Sequence, residues 1–255
     1  MVTLNEDKNT VIRVKDLSVG YQDSVILHDI SFEVPKGEVF VIMGGSGCGK
    51  TTLLKTIIGL IAPVKGKVFF GKNDFWGIGP EEQIGIMRTF GVLYQGAALW
   101  SSLTIEENVA LPLQMFTNLS SQQIKEVVSL KLALVGLSGF EDFYPEQISG
   151  GMRKRAGIAR AIALDPKILF LDEPTAGLDP LNARMLDDLV RQLTDVLRVT
   201  VIMVTHDLES IFAVGDEVIF LDAETKTMIA SGNPKELLRN CKDSRVINFL
   251  TPRRS

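Results

Sequence analysis

The chain has 255 residues, 45% of them hydrophobic, with a formal net charge of −4. That is enough apolar material for one domain with sub-lobes, and the mild acidity argues against a general nucleic-acid surface. The two cysteines, Cys48 and Cys241, make no disulfide framework, no secretory leader is recognisable, and no apolar stretch approaches the roughly 20 residues that span a bilayer; a reducing compartment is expected, and any membrane role needs a partner.

Strand patterns open the chain around residues 11 to 34, with His28 reading as a surface residue among them. Glu38-Val39-Phe40-Val41-Ile42-Met43 reads as a buried strand that runs into Gly44-Gly45-Ser46-Gly47-Cys48-Gly49-Lys50-Thr51-Thr52, and Thr52 to Ile58 as a helix leaving it. The stretch fits G-x-x-x-x-G-K-[ST], which chance produces in roughly one chain in a hundred of this length, and its strand and helix make it a phosphate cradle. Glycines at 44, 45, 47 and 49 let successive backbone N–H groups point inward, and the helix adds the positive end of its dipole. Side chains there would obstruct a polyphosphate. Lys50 is expected at the β- and γ-phosphates and the Thr51 hydroxyl on Mg²⁺. Cys48 must stay small; it is either a tolerated small residue lining the site or, at a helix N-terminus, a thiol of lowered pKa acting as a redox or alkylation switch.

Another strand is expected at 67 to 71, and beyond Gln95 the residues from 96 to 164 look mainly helical. Ser120 can cap a helix with Gln123 at its third position, ahead of apolar residues at 124, 127, 128, 134 and 135. Ile148-Ser149-Gly150-Gly151-Met152 precedes an apolar stripe at 158, 159, 162 and 163, so Ser149 reads as an N-cap whose small neighbours expose backbone donors, a second anion site. The following Arg153-Lys154-Arg155 reads as a solvated helical face with local ion pairs, or as a contact for a membrane subunit or lipid headgroups.

Lys167-Ile168-Leu169-Phe170-Leu171-Asp172-Glu173-Pro174 is an apolar run of strand length that ends in two adjacent carboxylates, a Walker B ending. Side chains alternate along a strand, so the two point different ways: Asp172 would hold Mg²⁺ through its water shell, and Glu173 would orient or deprotonate the water attacking the γ-phosphate. Asp179 and Pro180 make an N-cap and N1 pair for a helix to about Leu197. Val199 to Val204 is another buried strand, and His206 follows at its carboxyl end, where open α/β sheets place ligands, just before a helix beginning near Asp207.

Together these motifs resemble the ATPase subunit of an ATP-binding-cassette (ABC) transporter over roughly residues 11 to 240. The resemblance makes Ile148 to Met152 the family signature, Gln95 the Q-loop glutamine with a catalytic role and a place near Mg²⁺, Ala176-Gly177-Leu178-Asp179 the D-loop, and His206 the switch histidine. Tyr21 matches the aromatic that stacks on adenine, although an aromatic after glycine in an early strand also packs ordinarily. The fold implied is an α/β ABC-type P-loop NTPase: RecA-like core and antiparallel β lobe from about 1–94 and 167–240, an inserted α-helical lobe at about 96–164, and a tail at about 241–255. The same resemblance implies that Ser149 and Gly151, with Gly150 between them, contact the γ-phosphate held by the Lys50 loop of another subunit, so that two copies enclose two ATPs across a two-fold axis.

In this family a groove lined by the segment after Gln95, here Tyr94 to Thr104, receives a coupling helix of an integral-membrane permease. Ala97, Leu99, Trp100 and Leu103 would be costly to leave in water and make a docking surface near Gln95 to Leu103; the other reading packs them inside the helical lobe. Met152 in place of the usual Gln, Ala98-Leu99-Trp100 ahead of Asn108 to Leu113, and the tail Ser244 to Leu250 further resemble the MlaF-type ATPases of Mce systems, which drive phospholipid traffic between bacterial membranes. The chain departs from them in Gly96 and Ala97, where Ser-Gly is usual, and in stopping at Ser255, so that a longer clasping tail is expected to be absent. That likeness implies a lipid-binding Mce-domain partner and a place on the cytoplasmic face of the inner membrane. A motor for another cargo, such as an amino acid or lipoprotein, stays open; a soluble non-transport ABC ATPase is disfavoured by the single cassette and by the short span between Gln95 and Ser149.

Overall fold

The strand-like runs sort into two sheets in the computed structural model, which describes residues 9–21 and 24–251; the first eight positions of the expected core segment and the last four of the expected tail lie outside the described residues. β1 (Thr10–Tyr21) and β2 (Ser24–Pro35) pair antiparallel, and β3 (Val39–Gly44) leads through the glycine loop into α1 (Lys50–Ile57). β4 (Lys65–Phe70) and β5 (Asn73–Asp74) return to β1, completing an antiparallel sheet in the order β2-β1-β4-β5. After α2 (Pro80–Met87) come β6 (Phe90–Leu93), the helices α3 (Ile105–Phe116), α4 (Ser121–Leu134) and α5 (Gly150–Ala161), and then β7 (Ile168–Asp172). The chain continues through α6 (Pro180–Leu197), β8 (Thr200–Thr205), α7 (Leu208–Val214), β9 (Glu217–Asp222), β10 (Thr227–Gly232), α8 (Pro234–Asn240) and α9 (Ser244–Leu250).

The second sheet has the order β10-β9-β3-β8-β7-β6, parallel throughout except for β10. β3, β7 and β8 are buried at every position, which is why they read as unbroken apolar runs. Alternation along β3 sends Phe40 and Ile42 into the core between the two sheets, and Val41 and Met43 into the core shared with the helices. This is the α/β architecture implied by the family resemblance, with an antiparallel sheet on one side and helices inserted between β6 and β7.

Local sequence starts the inserted helices. Thr104 with Glu107 closes a capping box on α3, and Ser120 with Gln123 closes another on α4. Ser149 accepts from the Met152 N–H at 3.2 Å and caps α5, Asp179 caps α6, and Asp207 caps α7. The far end of α5 lies hard against the sheet: a Cβ on Gly91 of β6 would sit 2.0 Å from the Ala161 carbonyl oxygen, and one on Gly157 would sit 2.6 Å from the Leu93 side chain. Among the described residues no helix is long and apolar enough to cross a membrane.

Candidate nucleotide site

The loop between β3 and α1 takes its shape from backbone conformations that side chains resist. Gly44, Gly47 and Gly49 have φ of 153°, 76° and 100°, and a Cβ on Gly44 would lie 2.4 Å from the Leu221 carbonyl oxygen. At Gly45 and Gly47 the space beside the loop is open, so a side chain there would obstruct an incoming group and not the protein itself. The Lys50 ammonium folds back over the loop and donates to the Gly44 and Gly45 carbonyls, each at 2.9 Å.

Beside the loop is a cavity of about 340 Å³. Ser46, Gly47, Gly49, Lys50, Thr51 and Thr52 form one wall; Gln95, Glu173 and His206 face them, and Ile26 of β2 closes one side. Adjacent parallel strands bring the facing residues together. Glu173 follows β7 and donates its N–H to the Val204 carbonyl of β8 at 2.8 Å, which sets its carboxylate Oε1 2.8 Å from Nδ1 of His206. Glu173 has a φ of 48°, in the left-handed region that a glutamate seldom occupies. Below it the Thr51 hydroxyl donates to Asp172 Oδ1 at 3.1 Å. Burial pushes the Asp172 carboxyl up from its ordinary pKa, with the Thr51 hydrogen bond acting in the opposite sense. A hydroxyl and a desolvated carboxylate are hard oxygen donors of the kind Mg²⁺ accepts, and a cation arriving there would restore the charge balance that burial disturbs.

The remaining expected residues gather elsewhere. Ser149, Gly150 and Gly151 sit at the start of α5 against the start of α6: a Cβ on Gly151 would meet the Asn182 side chain at 2.9 Å, and one on Gly150 the Leu178 side chain at 3.7 Å. Asp179 belongs to this second cluster through its hydrogen bonds to the Leu181 and Asn182 N–H groups. Neither this group nor Tyr21, which is 47% exposed, lines the cavity beside Lys50. A second, open cavity of about 830 Å³ adjoins the first through Glu173 and His206 and is bordered by Thr175 to Leu178.

Three expectations need correction. Cys48 does not line the cavity with its thiol, which packs into the core between the sheets and would lie 2.7 Å from a Cβ placed on Gly44. Burial pushes that thiol's pKa up, against Lys50, so the lowered pKa needed for a switch is absent. Cys48 should stay unlabelled by iodoacetamide at neutral pH, with or without ATP, while the partly exposed Cys241 reacts; fast labelling blocked by ATP would return the thiol to the site. Ala97 is 1% exposed and packs beside Gly157, so it is no part of a docking surface; Leu99 and Leu103 are half-buried, and Trp100 alone of the four projects, at 63% exposure. Finally, Arg153-Lys154-Arg155 is not a face of solvent ion pairs: Arg153 donates to the Ile148 carbonyl at 2.7 Å, Arg155 to the Val135 carbonyl at 3.3 Å, and Lys154 is buried.

Ile26 and Lys154 are the site residues that sequence reasoning missed. Nothing in its strand singles out Ile26. Lys154 carried a signal, since it lies four residues before Ile158 and therefore on the apolar stripe of α5, although its neighbours are arginines.

Residues 27–176 match the ABC transporter family. The chain is 38% identical over 240 residues to the "Intermembrane phospholipid transport system ATP-binding protein MlaF" of Haemophilus influenzae, covering 94% of this chain and 90% of that one. It is 44% identical to "Methionine import ATP-binding protein MetN 1" of Burkholderia pseudomallei over 77% of this chain and 57% of that relative. A dimeric ATP-binding cassette solved in a post-hydrolysis state with ADP and Pi superposes with a TM-score of 0.79 at 29% identity, covering 87% of this chain and 98% of that one. With the glycine loop, paired carboxylates, histidine and serine-glycine helix start all in place, the chain belongs to the ABC transporter family as one of its ATP-hydrolysing cassettes.

Proposed function

We propose that this cassette is the motor of a transporter that moves phospholipids between bacterial membranes. The observation that carries the cargo assignment is its likeness to an MlaF relative over nearly the full length of both chains. The mechanism rests on the cavity beside Lys50. Lys50 exchanges the carbonyls of Gly44 and Gly45 for the β- and γ-phosphates of ATP, and the loop N–H groups from Gly45 to Thr52 bind phosphate oxygens, Cys48 through its backbone alone. Thr51 and Asp172 would hold Mg²⁺, with Gln95 close by, and the ion would supply charge neutralisation to the phosphate oxygens. Glu173 takes the proton of the attacking water, and His206, 2.8 Å from that carboxylate, fixes its orientation and faces the γ-phosphate.

One copy lacks a complete site, because Ser149, Gly150, Gly151 and Asp179 lie outside its own cavity. A second copy supplies them, with Tyr21 at the adenine. The dimeric state of the solved cassette similar in fold supports this arrangement. ATP binds the closed pair better than the open one and shifts the population toward closure, and hydrolysis releases it.

A membrane permease would receive that motion at Trp100, on the cytoplasmic side of the inner membrane, with a lipid-binding Mce-domain subunit beyond it. Asn108, fully buried, supports the turn: its amide donates to the Trp100, Leu103 and Thr104 carbonyls and accepts from the Trp100 N–H at 2.8 Å. A rigid turn that holds an indole in water fits a docking anchor better than a loose loop. Trp100→Ala should keep the ATPase of the isolated cassette and lose permease copurification; assembly at the wild-type level would refute docking there. The MetN 1 relative favours a second reading, an amino acid as cargo. Mass spectrometry of the purified native complex separates the two: bound phospholipid and a permease support the first, and a permease with only hydrophilic cargo overturns it.

A further inference from the structure

The sheet-facing side of α5 carries a charge that the mechanism above leaves unused. Lys154 is 6% exposed, and its ammonium donates to two backbone carbonyls from separate parts of the chain, Gln95 and Glu173, the latter at 3.1 Å. An ammonium taken from water is costly unless it is paired, so this burial ties three elements together. Burial lowers the Lys154 pKa while Asp172 and Glu173 act to hold its charge. Six residues along α5, Arg160 donates to the Ala97 and Ala98 carbonyls, both at 2.8 Å. Three of the four carbonyls so held belong to residues in the left-handed region, with φ of 48° at Glu173, 61° at Ala97 and 51° at Ala98. The cations of α5 therefore restrain two of the three backbone segments that carry polar side chains facing the glycine loop, those of Gln95 and Glu173, and leave that of His206 untouched.

We propose that Lys154 is a positioning residue for ATP hydrolysis: it holds Glu173 and Gln95 at the nucleotide and links their placement to that of the Ser149–Met152 helix start. This rests on the reading of Glu173 as the base. Lys154 touches neither water nor phosphate; it acts through the Glu173 backbone. Because α5 begins at Ser149, a shift of that helix start on contact with a second copy is carried by Lys154 to the carboxylate in the same chain.

Steady-state ATPase of the whole chain tests it, with K154M, K154Q, K154R, E173Q and the K154M/E173Q double variant. The two neutral variants should each lose roughly tenfold or more in kcat, the scale of one charge-assisted hydrogen bond, with KM for ATP within about twofold. K154R should recover most of the rate, and the double variant should be within about twofold of E173Q, because the restraint has no base left to position. Wild-type kcat in K154M and K154Q, a raised KM with unchanged kcat, or equal rate and melting losses in K154R and K154M would overturn the proposal. A slow E173Q beside a fast K154M defeats it alone, whereas a fast E173Q removes the base assignment and this inference with it.

Discussion

Glu173→Gln should lower ATP turnover by about 10²–10⁴, the range a positioned general base supplies, while ATP still binds. The amide keeps the size of the carboxylate and still offers an oxygen to His206 Nδ1, now 2.8 Å from Glu173 Oε1, so the site keeps its shape and loses only its proton acceptor. The left-handed backbone at Glu173 is held by its N–H bond to the Val204 carbonyl, which the substitution leaves alone. With hydrolysis stalled, the ATP-bound closed pair should accumulate, measurable as a nucleotide-dependent doubling of mass by light scattering. Brisk turnover would remove Glu173 from its role. A slow variant that never pairs with ATP would instead sink the two-copy site.

Lys50→Ala should abolish measurable hydrolysis by a different route, through lost phosphate binding. Removing a preorganised cation from a developing anionic centre costs roughly 10²–10³ in rate before any loss of affinity is counted. Without nucleotide, Lys50 only bridges the Gly44 and Gly45 carbonyls of its own loop. The empty variant should therefore melt within about 2–4 °C of the wild type, the scale of one lost kcal/mol in a chain of this size. Calorimetric titration would show ATP binding weakened alongside the rate. Normal turnover in Lys50→Ala would refute the cradle.

Much of this architecture is legible because its signals are local. The runs that became β3, β7 and β8 read as buried strands since both faces of a parallel sheet are covered, and Ser120, Ser149, Asp179 and Asp207 each announce a helix by standing at its start. What stayed hidden depends on contacts distant in sequence. Lys154 sits between arginines and looks solvated, yet its partners are 59 and 19 residues away. Cys48 looks like a cradle residue until the turn at Gly44 sends its thiol inward, and Ala97 looks exposed until Gly157 makes room for it. Periodicity places a side chain on a face, but it does not say what that face meets.

The close approach of Gly91 to the Ala161 carbonyl and of Gly157 to the Leu93 side chain gives α5 a fulcrum. With its last turn pressed on β6 and no slack at the Ala161 carbonyl, the helix meets more resistance to sliding along the sheet than to tipping about that end. A helix of 12 residues is about 18 Å long, so a tilt of about 10° would move its opposite end by roughly 3 Å. That end is Ser149, which turns a small adjustment at the sheet into a stroke as large as a hydrogen bond is long.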